Sequence, residues 1–107
     1  MKQISPLELA AWFSDQRREK PLLLDVREPW EWEAARIAGA QHIPMREVPA
    51  RVEEIDRGQE VVAICHHGGR SQQVAMFLEK NGFSKVHNLQ GGVDAWSRTV
   101  DPAVPLY

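Results

Sequence analysis

Val61-Val62-Ala63-Ile64-Cys65-His66-His67-Gly68-Gly69-Arg70-Ser71 changes character twice within a short stretch. Residues 61–64 are an apolar run, as in a strand buried on both faces. Residues 65–69 break the run with one cysteine, two histidines and two glycines. From Arg70 and Ser71 onward, Val74, Ala75, Phe77 and Leu78 recur at helical spacing and form one apolar stripe. The stretch therefore predicts a strand, a tight loop and a helix. A loop in that position lies at the carboxyl end of its strand, where α/β sheets collect their ligands.

The same alternation extends in both directions. Upstream, Ser5-Pro6-Leu7-Glu8 has the form of a capping box with proline at the first helical position, so a helix begins there and ends before Pro21. Leu22-Leu23-Leu24-Asp25-Val26 reads as a strand, and Pro29-Trp30-Glu31-Trp32-Glu33-Ala34-Ala35-Arg36 as a helix. After the Gly39-Ala40 turn, His42-Ile43 is a brief extended piece before Pro44. Pro49 opens another helix carrying Val52 and Ile55, which Gly58 closes. Downstream, Asn81-Gly82 stops the helix after the loop, Val86 to Leu89 forms a further strand, and Gly91-Gly92 leads to a last helical turn around Ala95-Trp96. Alternation of this kind predicts an α/β fold: a mainly parallel sheet with helices on both faces. The chain is expected to be one domain over residues 1–107, with its core at about 3–99 and an irregular tail at 100–107.

Bulk composition restricts the function. The 107 residues carry a formal net charge of -2, with both signs interspersed, so no basic face for nucleic acid is expected. No apolar run reaches the roughly 18 residues of a membrane span. Nothing near Met1 resembles a secretory signal and the lone Cys65 has no partner for an internal disulfide, so a cytoplasmic location is expected.

Cys65 is the candidate nucleophile. A free cysteine is only a few per cent ionised at neutral pH, so a reactive one needs surroundings that favour thiolate. A loop whose amides face inward, above a helix N-terminus, supplies them. Gly68 and Gly69 let the main chain curl closely around an anion, and Arg70 adds a guanidinium charge. His66, His67 and Ser71 complete the candidate anion-binding set, and Asp25 and Arg27 lie at another strand end. Cys65, His66 and His67 are consecutive and lack the spaced pairs that converge on zinc, so no metal and no other cofactor is expected.

The chain resembles the single-domain rhodaneses. LLLDVREPWEWEAARIAGAQHIPM is similar to the family's DVRxxxEFxxGHIxGAxNIP stretch, CHHGGRS to its CxxGxRS loop, and LQGGVDAW to its LxGGxxAW element. The resemblance implies a parallel sheet of about five strands flanked by helices, with Asp25 and Arg27 ordering the neighbourhood of the active loop through hydrogen bonds and charge. It also implies sulfur transfer: Cys65 takes a sulfane sulfur from thiosulfate or a persulfide and passes it to cyanide, a thiol or a sulfur-accepting protein. With no second cysteine, the acceptor must come from outside. Catalytically idle members of this fold usually lack the cysteine; they remain the alternative as binding modules. The related phosphatases and arsenate reductases have an active loop one residue longer than the four between Cys65 and Arg70, which makes an oxyanion reductase or phosphatase the weaker reading. The sequence departs from the family at Arg36, in place of the histidine of GHI, and at His42, in place of the asparagine before Ile-Pro.

Overall fold

The computed structural model describes residues 1–107. Its strands are β1 (Lys2–Ile4), β2 (Leu22–Asp25), β3 (Gln41–His42), β4 (Val61–Ile64) and β5 (Val86–Leu89). They form one sheet in the order β1-β5-β4-β2-β3, with every neighbouring pair parallel. The helices are α1 (Pro6–Ser14), α2 (Pro29–Ala34), α3 (Val48–Arg51), α4 (Gly69–Lys80) and α5 (Gly92–Thr99). No helix is long and apolar enough to cross a membrane.

Successive side chains of a strand point to opposite faces, and β4 shows how this builds two cores. Val61, Ala63 and Cys65 join Val74, Ala75 and Leu78 of α4 on one face. Val62 and Ile64 join Leu9 and Trp12 of α1 and Val93 and Trp96 of α5 on the other. The continuous apolar run at 61–64 is thus required, because both sides of this central strand are covered.

Three expectations change. The strand β1 was not anticipated: two of its three residues are exposed and only Ile4 is buried, so it carries no apolar run. Its place is set by pairing with β5, Lys2 opposite His87 and Ile4 opposite Leu89. The helix expected from Pro49 is a single α turn flanked by 3-10 turns at Met45–Glu47 and Val52–Glu54. Pro49 stands in the first turn of α3, where its missing N–H leaves no bond unmade, and the helix ends because the chain tightens into a 3-10 turn from Val52. The tail after Thr99 has no regular element, as expected, yet it is not peripheral: Val104 is buried with α5.

Strand order fixes where a ligand can sit. From β2 the chain moves outward to β3, and from β4 it moves the opposite way to β5. Connections therefore diverge between β2 and β4, opening a crevice beyond their carboxyl ends. Asp25 ends β2 and Cys65 follows β4.

Candidate active site

The loop after β4 is built around a left-handed glycine. Gly68 caps α4 with φ +105, a conformation that side chains on an L-residue resist. Its N–H points back to Cys65 and donates to Sγ at 3.0 Å. The N–H groups of His66, His67, Gly69, Arg70 and Ser71 make no hydrogen bond within the chain, so the loop and the first turn of α4 hold a set of free donors suited to an anion. From below, the start of α5 braces the loop: Val93 N–H donates to the Cys65 carbonyl at 2.9 Å and Asp94 N–H to that of His66 at 3.1 Å.

Ser71 adds a second polar contact to the sulfur. Its Oγ lies 3.3 Å from Cys65 Sγ and 2.5 Å from Asn88 Oδ1. A hydroxyl has one proton, and these two acceptors compete for it. Asn88 cannot turn away, because its Nδ2 donates to the Gly68 carbonyl at 3.1 Å and to Gln3 Oε1 at 2.9 Å. Against a thiolate the hydroxyl can swing its proton to sulfur; against a thiol it can accept from S–H while donating to Asn88. Asn88 was missed by the sequence analysis, although a polar residue within the apolar strand 86–89 is a visible signal.

Arg70 does not turn its guanidinium onto the sulfur. It forks onto Glu31 of α2, Nη1 to Oε1 at 2.6 Å and Nη2 to Oε2 at 2.9 Å. The Arg70 fork holds the Glu31 carboxyl down to about 2, against the opposing effect of burial, with help from the Glu28 N–H and the Tyr107 hydroxyl. Glu31 was also missed. Its signal is the acidic residue of the family's Glu-Phe pair, which stands here as Glu31-Trp32.

Asp25 and Arg27 are brought to the same crevice as an almost completely buried pair, 1% and 0% exposed. Arg27 forks onto Asp25, Nε to Oδ1 at 2.9 Å and Nη2 to Oδ2 at 2.7 Å, and its Nη1 donates to the Tyr107 oxygen at 2.8 Å. Tyr107 in turn donates to Glu31 Oε2 at 2.9 Å. One phenol therefore joins the Asp25–Arg27 pair to the Arg70–Glu31 pair, and burial pushes its own ionisation up to about 12. Its ring stacks on His66, centroids 4.0 Å apart at 15°. His67 packs on His66 at 3.9 Å. Burial, reinforced by His67, lowers the pKa of His66 below its usual value and favours its neutral form.

The two residues that depart from the family pattern, Arg36 and His42, meet through Trp32. The Arg36 guanidinium lies over the Trp32 ring, Trp32 stacks on His42 at 4.8 Å, and His42 Nε2 reaches the Arg27 carbonyl at 2.7 Å. The loop after β2 is thus braced by a stacked column. Trp96 is core, whereas Trp30 is 64% exposed at the edge of the Tyr107 ring. Donor atoms of His66, His67 and Asp94 lie within 4.8 Å of one another beside the loop.

The Glu31–Arg70 fork predicts a pH signature. Glu31 has a lower pKa folded than unfolded, so its contribution is fully present above the unfolded value near 4.5 and is lost as pH falls toward 2. Glu31→Gln is expected to be less stable than wild type at neutral pH by about 2 kcal/mol, after discounting for the partly exposed Arg70. That difference should shrink steadily between pH 4.5 and pH 2 in urea titrations. A gap that stays constant across this window would show that Glu31 is not held ionised by the fork.

A model of the rhodanese-like domain matches residues 6–99. A sulfurtransferase of Allochromatium vinosum is 40% identical over 86 residues, covering 80% of this chain and 80% of that one. A chloroplastic rhodanese-like/PpiC domain-containing protein of Arabidopsis thaliana is 39% identical over 89 residues, 79% of this chain, which spans only 30% of that longer relative. The crystal structure of a rhodanese-like domain protein from Staphylococcus aureus superposes with a TM-score of 0.84 at 28% identity, covering 100% of this chain and 99% of that one. With the family match running from α1 through α5 and the loop geometry above, the chain belongs to the rhodanese-like domain family.

Proposed function

We propose that this protein is a sulfurtransferase that carries sulfane sulfur on Cys65, taking it from thiosulfate or a persulfide and delivering it to cyanide, a thiol or a protein acceptor. The observation that carries the reading is the convergence of the Gly68 N–H and the Ser71 hydroxyl on one sulfur, inside a loop of free amides. Such a setting suits a sulfur that bears negative charge before and after it is loaded.

With thiosulfate as donor, the Cys65 thiolate attacks the outer sulfur. A new sulfur–sulfur bond forms as the sulfur–sulfur bond of thiosulfate breaks, and sulfite leaves with the electron pair. The product is a Cys65 persulfide anion, which the amides of His66 to Arg70 stabilise. A nucleophilic acceptor then attacks the outer sulfur: cyanide leaves as thiocyanate, and the electron pair of the broken bond restores the thiolate. The two half-reactions share one enzyme form, so initial rates should follow ping-pong kinetics.

Intact-mass measurement tests this directly. Protein incubated with thiosulfate, or with a low-molecular-weight persulfide, is expected to gain the mass of one sulfur atom, and cyanide should remove it with release of thiocyanate. Absence of any gain with both donors would remove the proposal and leave a binding module.

A further inference from the structure

Cys65 is 1% exposed, and none of the cavities in the molecule has it in its wall. A donor and an acceptor must nevertheless touch its sulfur in turn, so some part of the surface over it has to move. We propose that residues Pro105–Tyr107 form a latch across the crevice and that Tyr107 controls access to Cys65; the inference rests on the sulfur-transfer reading only for its purpose.

The surrounding elements differ in how firmly they are held. The loop itself is tied to α5 by the Val93 and Asp94 amides, and Gln72 N–H bonds the Gly68 carbonyl at 3.2 Å. Arg70 is forked onto Glu31. In the tail, Val104 is anchored: its side chain is buried with α5 and its carbonyl accepts from the Ser97 hydroxyl. Beyond it, Pro105, Leu106 and Tyr107 make no backbone hydrogen bond at all. Leu106 is 52% exposed. Beyond Val104 the Tyr107 side chain supplies the segment's only hydrogen bonds, and segments held by so few bonds open at low free energy.

The phenol is placed where such an opening matters. It touches Arg27 beyond β2, Glu31 on α2 and His66 next to Cys65. Those groups belong to the two sides of the crevice between the ends of β2 and β4, so the ring bridges it. Its attachments are two hydrogen bonds, the stack on His66, the edge contact with Trp30 and the Arg27 guanidinium over the ring, all of which are broken when the segment swings away.

Cys65 is the sole cysteine, so alkylation reads its accessibility with no background from other thiols. With the latch removed in Tyr107→Ala, the rate of reaction with iodoacetamide should rise at least about ten-fold, as expected if the open form is a minor population in wild type. Tyr107→Phe keeps the stack and loses both hydrogen bonds, and should fall between the two. The increase should persist unchanged through low urea concentrations. Equal rates in wild type and Tyr107→Ala would overturn the latch, and so would a rate that climbs with urea in step with global unfolding. Alkylation needs no sulfur donor: a protein that opens but loads from neither thiosulfate nor a low-molecular-weight persulfide refutes the transfer reading alone, and one that loads while its alkylation ignores Tyr107 refutes the latch alone.

Discussion

Cys65→Ala is expected to fold and to take up no sulfur. The substitution removes one buried atom at the end of β4, where Cys65 belongs to the buried cluster shared with α4, and a cavity of that size costs about 1 kcal/mol. It also strips the Gly68 N–H of its acceptor, adding roughly 1–2 kcal/mol for an unsatisfied donor. Both fall well short of the stability of an ordinary domain, so circular dichroism should report a native protein with a modestly lowered melting point. The chemistry has no such margin. This is the chain's one cysteine, so no neighbouring thiol can accept the sulfur in its place. Uptake should drop from one sulfur per chain to none, and thiocyanate production to the uncatalysed background. If the variant gains the mass of sulfur as the wild type does, the carrier lies elsewhere and the reading of the loop is wrong.

What the sequence made legible is what is local in it. The strand, loop and helix of residues 61–71 are contiguous, so a change of periodicity marks all three. The capping box at Ser5 is present as read: Ser5 Oγ accepts the Glu8 N–H at 3.1 Å and Glu8 Oε1 accepts the Ser5 N–H at 2.9 Å. The strand β1 escapes because nothing in Lys-Gln-Ile is apolar enough to announce it; it is ordered by β5, far away in the chain. The site divides in the same way. Cys65, Gly68 and Ser71 lie in one motif, and their mutual hydrogen bonds follow from the loop. Glu31, Asn88 and Tyr107 reach the loop only through the tertiary fold. Arg70 is the instructive residue: its charge was plain in the sequence, but the partner that takes up that charge was not. Tyr107 had no signal, standing in a tail without periodicity.

Gly92→Ala is expected to be the most damaging single methyl that can be added to this molecule near the site. Gly92 opens α5 with φ +60, and a Cβ there would stand 2.2 Å from the Cys65 carbonyl oxygen and 2.4 Å from that of His66. Neither obstacle is a flexible side chain; both are main chain of the active loop. To make room the loop must lift from α5, which breaks the Val93 and Asp94 amide bonds to those same carbonyls. The left-handed conformation costs about 1–2 kcal/mol for alanine, the overlap about 1–3 and the two hydrogen bonds about 1 each. Together these amount to roughly 4–7 kcal/mol, a large share of what holds a domain of this size folded. Thermal unfolding should fall by about 15 °C or more, and sulfur loading should fail in whatever fraction remains folded. Gly69→Ala is the control from the same loop. Gly69 has no atom within 4 Å of its added Cβ and sits in the first turn of α4 without a positive φ, so its melting point should stay within a few degrees of wild type or rise slightly. If Gly92→Ala unfolds no earlier than Gly69→Ala, α5 does not brace the loop, and the position of the Cys65 sulfur must be set by α4 alone.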